Sequence, residues 1–161
     1  MKFLKYILKP LSFIPALVVM YMIFSFSAQD STQSANLSYK VSYEAVTTVD
    51  KALDLNLTQS QITKCINKIH HYVRKFGHFS EYCLLAITLS LPLYVYGVRG
   101  LWLFLTIGLV CVFYASTDEF HQRFVSGRGP SVKDVLIDSS GAMLGIIFVK
   151  LFGHITRKVF S

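Results

Sequence analysis

The sequence predicts an all-α fold, a polytopic membrane bundle of four transmembrane helices with amphipathic helices between the first and second. Three observations predict it. Of the 161 residues, 53% are hydrophobic, only 16% are charged, and mean hydropathy is +0.47, a balance that belongs to membrane proteins rather than to soluble cores. Apolar runs at residues 10–29, 79–98, 101–117 and 135–152 each approach the length needed to cross a hydrocarbon core about 30 Å thick. The net charge of +7 comes from basic residues that flank these runs rather than form one dense stripe, so nucleic acid is not an expected partner.

Lys2, Lys5 and Lys9 precede the first run, which carries no charge from Pro10 to Gln29. A basic flank followed by an apolar core also describes a secretory signal. The run is long for one, however, and Ser27-Ala28-Gln29 makes a poor small-x-small cleavage site, so a retained anchor is expected. Residues 30–77 then form the one long polar stretch, read as an extracytoplasmic helical insertion within a single domain spanning 1–161. Leu37, Val41, Ala45, Val49 and Leu53 recur every four residues, the period of an amphipathic helix. Thr58 and Gln61 make a capping box ahead of a second stripe, Ile62, Cys65, Ile66, Ile69 and Val73. Neither stripe is long enough to span; both are expected on the membrane surface or as a cap over the bundle.

The second run is interrupted near its start only by Glu81, and Arg99-Gly100 leaves room for no more than a tight reversal into the third. Between the third and fourth lies Ser126-Gly127-Arg128-Gly129-Pro130-Ser131, a glycine/proline turn. Lys2, Lys5, Lys9, Arg99, Lys150, Arg157 and Lys158 fall on one side of this four-span arrangement and all nine acidic residues on the other. The bias of basic residues places both termini in the cytoplasm. Cys65, Cys83 and Cys111 have no C-x-x-C spacing, and no disulfide framework is expected.

Charge inside or beside a span costs about 2.5–3.5 kcal/mol per residue at a helix centre, so it marks function by default. The stretch 114–145 concentrates it. Asp134, Asp138, Gly141 and Gly145 step by four, three and four along one helix face, joining two carboxylates to a small-x-x-x-small packing motif. At the end of the third run, Asp118 and Gln122 are four apart, as are Glu119 and Arg123. On the second, His78 and Glu81 are three apart, with Arg74 one turn earlier. The first ends in Ser25, Ser27 and Gln29, with Ser25 and Gln29 on one face. All four ends thus bring polar groups to one membrane depth.

Paired carboxylates suit acid/base chemistry when burial or a like charge separates their protonation. The candidate catalytic residues are His78, Glu81, Asp118, Glu119, Asp134 and Asp138. Candidate ligand contacts are Gln29, Gln122, Arg123 and Arg128; Arg128 with Arg123 and Lys133 beside glycine amides reads as a phosphate grip. His78, Glu81, Glu119 and His121 have ligand chemistry but not zinc spacing, and H-E-x-x-H is absent; no metal or cofactor is expected. The opposing structural reading is that the charges only clasp the helices, Asp134 and Asp138 holding Arg128 or Arg123.

Lys75-Phe-Gly-His78-Phe79-Ser-Glu81-Tyr82, Asp118-Glu119-Phe-His-Gln122 with Gly127-Arg128, and Asp134-x-x-x-Asp138 leading to Gly141 and Gly145 together resemble the VanZ-like family of small bacterial membrane proteins. The Phe-Ser pattern leading to Gln29 at the end of the first run is similar to that family's first element, and the match runs over roughly 15–150. Ser126 stands where many members carry proline. The resemblance implies a link, in some members, to glycopeptide (teicoplanin-type) resistance. The expected function is binding or modifying an anionic, lipid-linked envelope precursor or glycopeptide at the outer leaflet. A noncatalytic scaffold is the alternative. A transporter, which would place its ionisable groups at mid-membrane, ranks below both.

Overall fold

The computed structural model describes residues 9–159, the last six by backbone alone. Lys2 and Lys5, used above for orientation, lie outside the described residues, and Arg157 and Lys158 are described by backbone only. A short 3-10 turn, Pro10–Phe13, leads into α1 (Ile14–Ser27); α2 (Ser31–Leu53), α3 (Gln59–Val95), α4 (Gly100–Gln122) and α5 (Val132–Val159) follow. Every regular element among the described residues is helical. The 3-10 turn with α1, and each of α3, α4 and α5, is long and apolar enough to cross a membrane.

The core lies where α1, α3, α4 and α5 meet. Ile23, Tyr82, Leu85, Ala86, Ile107, Cys111, Ala115 and Ala142 are almost wholly shielded there. Around it the spans turn large apolar residues outward, among them Leu17, Tyr21, Trp102, Leu109, Phe113, Met143 and Phe148, as a lipid-facing surface requires. The Tyr114 hydroxyl donates to the Met20 carbonyl at 2.6 Å and ties α4 to α1. Helices α3 and α5 come closest. A Cβ built on Gly141 would strike the Phe79 carbonyl, and one on Gly145 the Cys83 carbonyl and the Ala86 Cβ. The small-residue face read from the sequence is therefore the α3–α5 contact.

Two features of the polar insertion differ from the sequence reading. The second amphipathic stripe is no separate helix: α3 runs unbroken for 37 residues, about 55 Å at 1.5 Å per residue, well over the length of a span. The capping box at Thr58 and Gln61 opens this long helix. Helix α2 packs back along it, burying Ser34, Ser38 and Ser42 rather than the apolar stripe. Ser38 and Ser42 can be buried because each hydroxyl donates to a carbonyl one turn earlier. Leu37, Val41, Val49 and Leu53 are left exposed.

The start of α2 is held by the turn between α4 and α5. Asp30 caps the helix, accepting from the Gln33 amide at 2.8 Å. The Ser31 amide donates to the Ser126 carbonyl at 3.2 Å. Gly127, at φ +71, leaves no room for a side chain against Ser31, so glycine answers both a backbone and a packing demand there.

Candidate functional site

Burial of charge at the ends of α1, α4 and α5 defines the site. Asp118, Glu119 and Gln122 on α4, Asp138 on α5 and Ser27 at the end of α1 are all at most 7% exposed. The helix continues past the apolar part of α4 far enough to turn Asp118 and Gln122 inward on one face. Ser27 donates to Asp118 Oδ2 at 2.5 Å, and Gln122 Nε2 donates to Ser27 Oγ at 2.8 Å and to Asp118 Oδ2 at 3.3 Å. Glu119 Oε2 accepts from the Ser131 amide at 2.7 Å, fastening the start of α5 to α4. Asp134, in the first turn of α5, pairs with Lys75 Nζ of α3 at 2.7 Å.

Arg128 extends from the turn into this cluster. Its Nη1 donates to the Ser27 carbonyl at 3.2 Å, which is one of the carbonyls left open at the end of α1. Its Nε and Nη2 are buried with no partner, as is Asp138 Oδ1. Burial, with Arg74 close enough to repel, holds the guanidinium below its ordinary pKa. The sequence reading set Arg128 against carboxylates. It bonds a backbone carbonyl instead and keeps two donors in reserve, while Asp134 takes Lys75. His78 stands 3.5 Å from Glu81 through Nδ1, at the limit of hydrogen-bond reach.

Most of the anticipated residues line one small cavity: His78, Glu119, Gln122, Arg128, Asp134 and Asp138, joined by Arg74, Lys75 and Ile137. Asp118 touches it through Gln122. Gln29 and Glu81 do not line it; they border a second, larger groove between α2 and α3, shared with Arg74 and His78. Arg123 is exposed and lines neither cavity. His121 packs its ring against Phe24 with centroids 4.8 Å apart. Among the described residues no three His, Cys, Asp or Glu side chains are grouped to hold a metal ion.

Sequence reasoning passed over two members. It paired Ser25 with Gln29 as the polar face of α1, yet Ser25 only bonds the Tyr21 carbonyl of its own helix, and Ser27 enters the cluster. An Asp118 needing a hydroxyl donor could not be matched to one serine rather than the other from spacing alone. Lys75 was visible in the motif but was given no partner.

No curated protein and no solved structure matches this chain. The family model described as VanZ/LLP1 does, over residues 12–153, a span that takes in α1 to α4 complete and the membrane-spanning part of α5. With most of its length matched and the buried cluster at the core of the matched region, this chain belongs to the VanZ/LLP1 family, the VanZ-like membrane proteins.

Proposed function

We propose that the buried polar cavity faces the extracytoplasmic side and binds, and through its carboxylates acts upon, an anionic component of the cell envelope. The observation that carries this reading is Arg128: two guanidinium donors, buried and unpartnered, beside a second arginine, Arg74. A buried donor left unmade costs about 1–3 kcal/mol, more when charged. An anion accepting from Nε and Nη2 removes that cost in the planar two-point geometry that guanidinium offers and ammonium does not. Asp138, buried with one free oxygen, is the group placed to exchange a proton with such a ligand; Asp118 and Glu119 are already engaged by Ser27, Gln122 and the Ser131 amide.

Glycopeptide (teicoplanin-type) resistance is the phenotype this reading connects to, through an altered envelope component. A second reading also has an observation behind it. Ser27, Asp118 and Gln122 are mutually bonded and Asp134 is paired with Lys75, as in a clasp that only joins helices. The two readings separate on Arg128. Under the proposal, Arg128→Lys lowers activity nearly as far as Arg128→Ala, at least tenfold, and Asp138→Asn does the same, all at unchanged protein level in the membrane. The readout is growth under glycopeptide challenge or other envelope stress, normalised to that level. Full activity of Arg128→Lys together with Asp138→Asn reduces the cluster to a clasp.

A further inference from the structure

The polar cavity has a volume of about 20 Å³, room for little more than one water. A ligand can place only a small polar group in it, and its bulk must lie elsewhere. Next to it is a partly open groove of about 240 Å³ between the end of α1, α2 and α3. Carbon lines most of this groove, from Phe26, Leu37, Val41, Val73, Phe76 and Gly77. Arg74 and His78, one turn apart on α3, border both cavities and so make the boundary between an apolar trough and the polar cavity, where Arg74, Lys75 and Arg128 stand with Glu119, Asp134 and Asp138.

That pairing has a chemical counterpart. We infer that the ligand is a lipid phosphate, its hydrocarbon chain lying in the α2–α3 groove and its phosphate at the boundary beside Arg74, with a phosphate oxygen entering the polar cavity to reach Arg128. The inference rests on the reading of the polar cavity as an anion site and adds the class of molecule. Charge complementarity favours this occupant. Arg74 takes part in no ion pair among the described residues, and Arg128 has its two free donors. A neutral lipid would leave both guanidiniums unmatched, and a free phosphate would leave the apolar wall wet. The serine-lined seam makes the groove: Ser34 and Ser38 let α2 lie close to α3, which brings Leu37 and Val41 to its edge.

Gly77 supplies the test. A Cβ added there meets nothing within 4 Å, and glycine within a helix is less favourable than leucine. Gly77→Leu therefore fills the groove while keeping or raising the melting temperature, with Gly77→Met as a second filling variant. The protein in phosphatidylcholine nanodiscs would be titrated with radiolabelled hexadecyl phosphate, hexadecanol and inorganic phosphate, against empty discs. Hexadecyl phosphate is expected to bind at least tenfold more tightly than inorganic phosphate. Gly77→Leu should remove that advantage without changing inorganic phosphate binding, and Arg128→Ala should weaken both phosphates. If the two phosphates bind alike and Gly77→Leu and Gly77→Met change nothing, the groove is not the chain's seat, although the anion site stands. Equal binding of hexadecanol overturns the inference by removing the phosphate from recognition. Binding of neither phosphate above empty discs overturns the anion site itself, and this inference with it.

Discussion

Single residues in this chain carry burdens that their types alone would not suggest. Ser27 is wholly buried and acts as donor to Asp118 and acceptor from Gln122, linking α1 to α4 through one hydroxyl. Asp30 fastens the start of α2, and its bonds to Thr32 and to the Gln33 amide hold its carboxyl below the ordinary carboxylate range. The sign follows directly. A carboxylate favoured by the folded state stabilises fully above its unfolded pKa, about 3.9, and that contribution is lost as pH falls through the lower folded value. Protection of the amides along the first turn of α2, taken relative to their intrinsic exchange rates, should thus fall on acidification below about pH 4. Asp30→Asn keeps a capping oxygen and should flatten that dependence. An unchanged acid profile in the variant would show that another group governs the turn.

The elements differ in what places them. Helices α3 and α5 touch backbone to backbone at Gly141 and Gly145, so any side chain there must push the pair apart. Overpacking of this kind costs about 1–3 kcal/mol even where neighbours can yield, and carbonyl oxygens of a helix cannot. Gly141→Leu and Gly145→Leu are each expected to lower folded yield in detergent and the melting temperature, whereas Gly77→Leu, whose Cβ meets nothing within 4 Å, should not. Parental stability in both of the first two variants would contradict the α3–α5 contact and the inward placement of Asp138 that depends on it. Helix α2 is placed differently. Its serines meet α3 while its apolar stripe stays exposed, Leu37 and Val41 at the edge of the groove, because small hydroxyls that bond their own backbone permit closer approach than branched chains.

On the scale of the whole molecule, one end of the four-helix bundle is wired with buried charge. Its flanks are apolar enough to make this a multi-pass membrane protein. We propose that the wired end is extracytoplasmic, because the basic residues that mark the cytoplasmic side gather at the opposite ends of the spans. In a variant without its native cysteines, single cysteines at Ser60 and Ser131 should react with an impermeant thiol reagent on intact cells, and one at Ser161 should not. External labelling at Ser161 would invert the topology and place the cavity on the cytoplasmic side. The long α3 is then the element that reaches beyond the bilayer, carrying α2 alongside it.

By itself the sequence determined the number of spans, their approximate ends, and the cluster around Asp118, Glu119, Gln122, Arg128, Asp134 and Asp138. It could do so because charge near a bilayer is costly enough to stand out residue by residue, and because Gly141 and Gly145 repeat with the helix period. It also determined the capping box at Thr58 and the turn at Gly127. Only the tertiary structure decided how each helix is rotated about its axis. A helix apolar on nearly every face, as α1 is, offers no period to say which side is inside, so Ser27 rather than Ser25 or Gln29 entering the cluster was not legible. For the same reason the burial of serines on α2, the pairing of Lys75 with Asp134, the exclusion of Arg123 and the groove beside Gly77 all awaited the packing. Each depends on which neighbour a helix meets, and that is set by the fit of two surfaces rather than by either one alone.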